Sequence, residues 1–466
     1  MNNVFCDVLV VGAGLAGFTA AVRACEQGAN VVLIDKSTGE LGDGNVLMTS
    51  GSLRVGGKSP KTDPAELYEF VMAEGVAYPQ LAKAWSDTCG RAVDWLISGG
   101  VKVTENSPGR IWLDQSGEVS LAPVYKKDVG SRALMSLKRR LEQAGGRYIS
   151  GVEGFRLIVE DGCVRGVVGN RLSEEIEFRS RATILSTGGF SANKEMVQRY
   201  IGPHADRCKL RGSRQDTGDG LRLALAIGAK AVNLKYFYGH LISRKALTDD
   251  RFWPYPRLDA FVDDGIVVNR DGNRFVDEGR GDVAVANELA RSDDVTGAVL
   301  IFDHVTWEST RDDTFSDLVK TPAPNPWLLD NDGELFCHDT VEGLADLIDV
   351  DRNLSTTLED YNRAVENWTT NQLPVPRTGK PKPLRAPYYG LRVIPGITFT
   401  MGGILVSGRG EALNDEEKPI RGLYAAGDAI GGLMGGYRGG YTGGLMQALV
   451  TGILAGENAA SYTKTG

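Results

Sequence analysis

Short apolar segments separated by glycine-rich turns dominate the first forty residues of the chain. Residues 8–11 form one apolar run, residues 18–27 have the character of a helix, and residues 31–34 form a second apolar run. Brief apolar runs flanked by glycine indicate buried strands, and the segment between them is long enough for a helix. The pattern therefore predicts a strand–helix–strand unit of an α/β fold.

Three glycines with the spacing G-x-G-x-x-G, Gly12, Gly14 and Gly17, occupy the turn between the first strand and the helix. The first glycine permits a tight turn, the second allows the backbone to approach a pyrophosphate, and the third lets the helix pack close to the strand. The helix N-terminus offers unpaired N–H groups to the phosphates. Asp35, directly after the second strand, is placed to accept hydrogen bonds from a ribose. These residues predict a dinucleotide-binding unit.

The remaining elements follow from the same periodicities. The Asp161-Gly162 pair between apolar runs is a hairpin signal within a predicted β-meander. The sequence predicts helices over 64–99, 131–143, 221–227 and 445–460, and strands over 155–159, 164–168, 176–178, 182–185 and 422–426.

A change in composition near residue 236 predicts a domain boundary, because aromatic, proline and charged residues become frequent there. Proline-rich loops lie at 322–326 and 374–387. We expect an inserted domain over 236–399. The C-terminal strand, glycine-rich loop and helix then return the chain to the first domain, which consists of residues 1–235 and 400–466.

Charge and composition exclude several classes of function. The 466 residues carry a formal net charge of −8, which argues against nucleic acid or an anionic membrane as a partner. The six cysteines are scattered, and no two of the four histidines have metal-ligand spacing, so we expect no metal site. We find no apolar run of membrane-spanning length and no signal peptide, and we expect a cytoplasmic protein.

Five motifs, taken together and in order, resemble the flavoprotein subunits of fumarate reductase and succinate dehydrogenase. They are the N-terminal unit, S-T-G-G at 186–189, T-G-D-G at 217–220, T-M-G-G at 400–403 and Y-A-A-G-D at 424–428. The resemblance implies an α/β fold in which a discontinuous, Rossmann-like FAD-binding domain carries an inserted α+β capping domain. It also implies hydride exchange between the flavin and one carbon of a C–C bond, while a side chain handles the proton at the neighbouring carbon.

The cofactor implied by the resemblance is FAD. Because residues 39–53 contain no histidine for covalent attachment, we expect the FAD to be non-covalent. The candidate cofactor-binding residues are Gly12, Gly14, Ala16, Gly17, Asp35, Lys36, Gly44, Asn45, Ser50, Gly51, Thr187, Gly188, Asp219, Gly427, Asp428, Gly443 and Leu445.

The resemblance also implies a set of catalytic and substrate-binding residues. His240 matches a carboxylate-binding histidine, Arg280 a proton-transferring arginine and Arg438 a carboxylate-clamping arginine. Tyr441 is the first alternative to Arg280 as the base. Further substrate-binding candidates are Phe399, Thr400 and Tyr437.

Two departures from the family pattern put fumarate reduction itself in doubt. Phe399 stands where a second carboxylate-binding histidine is expected, as in the tricarballylate dehydrogenase branch. Leu258 and Phe261 fall near the places of the residues that relay protons to the arginine.

The substrate that we expect first is a small carboxylic acid of the tricarballylate or succinate kind, held by Arg438 and His240. The alternative is a cyclic ketone or keto acid, as in the related ketosteroid and cyclohexanone dehydrogenases, with Tyr437 or Tyr441 polarising the ketone. A flavin-binding regulatory or assembly protein is a third, non-enzymatic alternative. The electron acceptor is unknown.

Overall fold

The structure is a computed structural model that describes residues 2–106, 110–114, 128–312 and 321–465. Its strands are β1 (Asn2–Val11), β2 (Val31–Asp35), β3 (Ser52–Leu53), β4 (Val103–Asn106), β5 (Arg110–Leu113), β6 (Arg147–Ser150), β7 (Glu153–Glu160), β8 (Cys163–Arg171), β9 (Glu174–Leu185), β10 (Lys209–Leu210), β11 (Ala231–Val232), β12 (Phe237–Ser243), β13 (Ile266–Val268), β14 (Val299–Asp303), β15 (Leu335–His338), β16 (Tyr388–Thr400), β17 (Gly403–Leu405), β18 (Glu411–Leu413), β19 (Pro419–Ala425) and β20 (Ile430–Gly431). Its α-helices are α1 (Leu15–Glu26), α2 (Pro64–Met72), α3 (Pro79–Ser98), α4 (Asp128–Gln143), α5 (Lys194–Tyr200), α6 (Asp219–Leu225), α7 (Asp259–Asp264), α8 (Asp282–Arg291), α9 (His304–Ser309), α10 (Pro324–Asp330), α11 (Val341–Ile348), α12 (Asn353–Glu366) and α13 (Gly444–Thr465).

The predicted N-terminal unit is β1–α1–β2. Strands β1 and β2 pair in parallel, with Val8 opposite Val31, and the apolar run of β1 is buried because it lies at the centre of its sheet. The sheet has eight strands, with the order β18-β19-β9-β1-β2-β6 and the β7–β8 hairpin joined to β9. The α/β fold class predicted from the sequence is confirmed.

The C-terminal segment rejoins this sheet as the sequence predicts. Strand β19 pairs in parallel with β9, and helix α13 packs against α1. The helices approach closely because glycines face the contact: a Cβ on Gly452 would lie 2.6 Å from the carbonyl oxygen of Ala16. The dinucleotide motif is therefore held between β1 and the last helix of the chain.

A second sheet, of six strands, is built around the 13-residue strand β16. Strands β12, β14 and β15 pair with β16 in antiparallel orientation. The short strand β10 also pairs with β16, although residues 209–210 precede the predicted boundary at 236. The boundaries of the capping domain stay a prediction.

Some element boundaries differ from the prediction. The helix expected over 64–99 is two helices, α2 and α3, because Gly75 adopts a φ of +71° and Pro79 begins the second helix. Strand β9 is continuous over residues 174–185, where the sequence predicts two separate strands, since it pairs with β8 at one end and with β1 along most of its length. Within the described ranges, no helix is both long and apolar enough to cross a membrane.

Candidate active site

A cavity lies at the carboxyl ends of β1 and β9 and continues to β12 and the end of β16. It is lined by most of the cofactor-binding residues predicted from the sequence: Gly12, Gly14, Ala16, Asp35, Lys36, Gly44, Asn45, Ser50, Thr187, Gly188, Asp219, Gly427, Asp428 and Leu445. Gly17, Gly51 and Gly443 do not line it.

The three glycines of the motif differ in what surrounds them. Gly12 has a φ of +103°, and a Cβ there would clash with the backbone of Ser186. A Cβ on Gly17 would clash with the carbonyl of Gly12, which agrees with a role in packing the helix on the strand. A Cβ on Gly14, by contrast, would meet no protein atom within 4 Å and would project into the cavity. The space next to Gly14 is thus available to a phosphate.

Two carboxylates bracket the part of the cavity next to this turn. Asp35 accepts hydrogen bonds from the N–H groups of Ala13 (2.6 Å) and Ser37 (2.8 Å), so it holds the turn as well as lining the cavity. Asp219 forms an ion pair with Lys36, with 2.6 Å between Oδ2 and Nζ.

A buried carboxylate oxygen without a hydrogen-bond partner supports the presence of a polar cofactor. Asp428 Oδ1 is buried and has no hydrogen-bond partner within the described residues. Burial raises the pKa of Asp428 to about 7. Neighbouring Asp216 is also buried, and its pKa lies well above the ordinary value because of burial and the charge of Asp428. An unsatisfied buried carboxylate oxygen is costly, and a hydroxyl of the FAD ribityl chain would satisfy it. These residues fit FAD.

Three aromatic side chains form the opposite end of the cavity. The rings of Tyr238 and Tyr441 are stacked, with centroids 3.9 Å apart and planes 15° apart. Phe399 lies against Tyr238 at 5.3 Å. Tyr238 and Phe399 come from the paired strands β12 and β16, whereas Tyr441 comes from the glycine-rich loop before α13. This end is therefore assembled from distant parts of the chain.

His240 links Tyr238 to two carboxylates. Its Nε2 lies 2.9 Å from the Tyr238 hydroxyl, and its Nδ1 lies 2.6 Å from Asp282 Oδ2 and 3.2 Å from Asp259 Oδ1. Burial alone would lower the pKa of His240, but the charges of Tyr238 and Asp259 hold it well above the usual value. The ligand atoms of His240, Asp259 and Asp282 are close enough for a metal ion. A protonated imidazole between the carboxylates offsets one of their two negative charges, and Arg257 pairs with Asp259 at 3.0 Å.

The pKa values of the two stacked tyrosines are shifted in opposite directions. Burial would raise the pKa of Tyr238, but the charges of His240 and Arg54 outweigh it and place the pKa below the ordinary value. Burial, followed by the charge of Tyr238, raises the pKa of Tyr441 above the ordinary value. The Tyr441 oxygen accepts a hydrogen bond from the N–H of Gly444 at 3.1 Å, which leaves its own proton to be donated.

Several cavity residues were missed by the sequence reasoning. Arg54, Arg211, Arg257, Tyr238 and Asp259 all line the cavity. Tyr238 lies two positions before His240 on one strand, and alternate residues of a strand share a face, so that spacing was an available signal. Arg54 lies three positions after the candidate cofactor-binding residue Gly51, but nothing in its local sequence separates it from a surface arginine.

Other predicted residues do not line the cavity. The Arg280 guanidinium lies 3.8 Å from the centroid of the Tyr437 ring, and its Nε donates to the Tyr437 carbonyl at 2.7 Å. Arg438 is exposed, and its backbone N–H donates to Glu74 Oε2 at 2.8 Å. Thr400 is fully buried and accepts a hydrogen bond from the Phe190 N–H at 3.3 Å. The structure therefore brings His240, Phe399 and Tyr441 together without Arg280, Tyr437, Arg438 and Thr400.

Comparison with known proteins identifies the class of protein. The model of a family described as "FAD binding domain" matches residues 7–443, and the chain belongs to that family. This confirms FAD as the cofactor and the resemblance to the fumarate reductase and succinate dehydrogenase flavoproteins.

Individual relatives are reductases and dehydrogenases of C–C bonds. The chain is 28% identical to an NADH:fumarate oxidoreductase of Klebsiella pneumoniae over 91% of its own length, but it spans only 44% of that relative. It is 25% identical to a 3-oxosteroid 1-dehydrogenase of Mycolicibacterium smegmatis, with 91% of each chain covered. The open conformation of a flavocytochrome c3 fumarate reductase superposes with a TM-score of 0.67 at 26% identity, covering 99% of this chain and 79% of that one. The chain is an FAD-binding oxidoreductase of this family.

Proposed function

We propose that the protein is a flavin-dependent dehydrogenase that introduces a C–C double bond next to the carbonyl of a cyclic ketone or keto acid. The observation that carries the proposal is the stacked pair of Tyr238 and Tyr441, which lines the same cavity as the FAD-binding residues. The relationship to a 3-oxosteroid dehydrogenase supports it. The fumarate reductase relatives favour the alternative of a small carboxylic acid.

The opposite pKa shifts assign complementary roles to the two tyrosines. Two titratable groups whose environments push their pKa values apart are suited to act as an acid and a base. Tyr441 keeps its proton and donates a hydrogen bond to the ketone oxygen, which makes the neighbouring C–H groups more acidic. Tyr238, whose pKa is lowered, accepts the proton from the carbon next to the carbonyl. Bound FAD supplies the two-electron acceptor for the hydride.

His240 acts on the substrate through Tyr238. The protonated imidazole donates its Nδ1–H to Asp282 and Asp259. Its Nε2–H donates to the Tyr238 oxygen, and this charge-assisted hydrogen bond stabilises the tyrosinate. The buried position of this chain of groups strengthens each interaction, because little water competes for it.

The proposed division into two domains places the substrate between them. Tyr238, His240 and Phe399 belong to the predicted capping domain, 236–399, whereas Tyr441 belongs to the FAD-binding domain, 1–235 and 400–466. The cap can then exclude water from the flavin. In this proposal Arg280 and Arg438 bind no substrate; in the carboxylic-acid alternative, Arg438 holds the substrate and Arg280 transfers the proton. A cytoplasmic location stays a prediction, and the electron acceptor is not identified.

A substrate panel separates the two classes. Under anaerobic conditions, we expect 4-oxocyclohexanecarboxylate or cyclohexanone to bleach the flavin absorbance of the wild-type protein in single-turnover stopped-flow experiments. Tricarballylate and succinate should leave it unchanged. Bleaching by tricarballylate or succinate, with no response to either ketone, would replace the ketone proposal with the carboxylic-acid alternative.

The pH dependence of flavin reduction tests the role of His240. Because the pKa of Tyr238 is lowered, the rate should rise with pH and level off below the ordinary pKa of tyrosine, near 10. Replacing His240 with glutamine removes a positive charge next to the Tyr238 oxygen, so the rate should begin to rise only at a higher pH. The rate at the high-pH plateau should return nearly to the wild-type value. The measurement is the single-turnover rate over a pH series. An equal loss of rate at every pH, with the rise at the same pH as in the wild type, would mean that His240 does not lower the pKa of Tyr238.

A further inference from the structure

The substrate end of the cavity carries an excess of positive charge. Four basic side chains line it: Arg54, Arg211, Arg257 and His240. Two carboxylates near these groups, Asp259 and Asp282, are both engaged by His240, and Asp259 also pairs with Arg257 at 3.0 Å. Of these four side chains, Arg54 and Arg211 have no carboxylate partner among the described residues.

Arg211 is occupied by the protein itself. It is buried, with 7% of its surface exposed, and its guanidinium donates to the Thr398 hydroxyl at 3.3 Å and to the Pro254 carbonyl at 3.1 Å. These contacts hold it between β16 and the loop before α7. Arg211 therefore contributes charge and commits its two terminal nitrogens to these contacts, whereas its buried Nε has no hydrogen-bond partner among the described residues.

Arg54 is in a different situation. Its guanidinium carbon lies 5.9 Å from the centroid of the Tyr441 ring, and the side chain makes no ion pair within the described residues. It is near enough to lower the pKa of Tyr238. A guanidinium presents a planar fork of donors that matches a carboxylate in bidentate geometry. Facing a low-dielectric cavity, such an unpaired charge attracts an anion strongly.

We propose that Arg54 binds a carboxylate of the substrate, so that the substrate class is an anionic cyclic keto acid. The proposal rests on the proposed function, in which Tyr441 and Tyr238 act on the ketone end of the same molecule. The ketone supplies the reactive C–H bond, and the carboxylate, held by Arg54, fixes which ring carbon faces Tyr238. A neutral ketone of the same size lacks this second anchor.

The test compares an acid with a neutral ketone of similar shape. For the wild-type protein, we expect kcat/KM for 4-oxocyclohexanecarboxylate to exceed that for 4-methylcyclohexanone by about 10²-fold or more, the range of a lost charge-assisted contact. Arg54→Met should remove most of that preference. It should lower kcat/KM for the acid at least about tenfold more than kcat/KM for the neutral ketone, because only the acid loses a charge-assisted contact. Arg54→Lys, which keeps the charge but not the fork, should lie between the two.

Two controls exclude indirect effects. Arg214→Met removes a positive charge from an exposed position outside the cavity and should leave the preference at the wild-type value. The FAD content of Arg54→Met should equal that of the wild type. Loss of FAD in Arg54→Met would make Arg54 a cofactor ligand and overturn the proposal. Equal losses on the acid and the neutral ketone would also overturn it and would assign Arg54 to the activation of Tyr238.

A binding measurement separates this inference from the proposed function. Cyclohexanecarboxylate has the carboxylate but no ketone, and its binding is followed by perturbation of the oxidised flavin spectrum. Its Kd should rise about tenfold or more in Arg54→Met. If neither ketone bleaches the wild-type flavin but cyclohexanecarboxylate binding depends on Arg54, the ketone chemistry is wrong and the anion site stands. If binding is unchanged in Arg54→Met, the anion site is wrong.

Discussion

A Gly14→Val protein is expected to fold normally and to contain almost no FAD. Gly14 precedes α1 with extended backbone angles, φ −75° and ψ −173°, which valine adopts without strain. A Cβ at this position would meet no protein atom within 4 Å, so folding should be little affected. The same side chain would occupy the space of the pyrophosphate, and we expect the flavin content to fall below about a tenth of the wild-type value. The measurement is the ratio of flavin absorbance to protein.

The matched control for this experiment is Gly57→Val. Gly57 is exposed, a Cβ there also meets nothing within 4 Å, and it does not line the cavity. This variant should keep its FAD and its thermal unfolding midpoint. Gly14→Val with a full complement of FAD would show that the pyrophosphate lies elsewhere. Acid precipitation of the wild type completes the test: flavin released to the supernatant is non-covalent, and flavin in the pellet is covalently bound.

Replacing Tyr238 with phenylalanine should slow flavin reduction by a ketone substrate about 10²–10⁴-fold, the usual contribution of a placed proton-transferring group. The ring should keep its position, because it is packed between Tyr441 and Phe399. Substrate affinity should therefore change much less than the rate. The single-turnover rate is measured by stopped flow, and reduction by dithionite should match the wild type because it requires no proton from the substrate.

Tyr200→Phe is the matched control for Tyr238→Phe. Tyr200 packs edge-on against Phe190, with centroids 5.5 Å apart, and does not line the cavity. Its replacement should leave the rate unchanged. A Tyr238→Phe protein that keeps its rate, together with a large loss in Arg280→Gln, would move the proton transfer to Arg280. The carboxylic-acid alternative would then be favoured, and Arg438→Lys would be expected to weaken substrate binding.

Local sequence patterns were sufficient to predict the part of the protein that binds the cofactor. The βαβ unit is encoded by contiguous residues, since an apolar run, a glycine turn and a helix depend on neighbours only a few positions away. Gly12, Gly14 and Asp35 line the cavity as the motif predicts. The return of the chain at residues 422–460 was also visible, because the strand and helix there carry their own buried patterns.

The substrate end of the cavity could not be predicted from local patterns, because it is formed by contacts between distant segments of the chain. Tyr238 and Tyr441 lie far apart in sequence, and neither position alone indicates a stacked pair. Arg280 was placed in the site by motif, but the structure stacks it on Tyr437 outside the cavity. Arg54 becomes a candidate only once its guanidinium is seen beside Tyr441 without a carboxylate partner in the described residues.

The amino-acid sequence by itself determined the βαβ unit and its dinucleotide site, because both depend on short-range periodicity and on glycines at defined spacings. The choice of FAD and the class of chemistry followed from the family resemblance that the five motifs carry. Tertiary structure alone decided which tyrosine has a lowered pKa and which arginine faces the cavity unpaired. Those properties arise from burial and from charges that the fold brings within a few ångströms, and burial and proximity are set by the packing of β12, β16 and the loop before α13 rather than by any one segment.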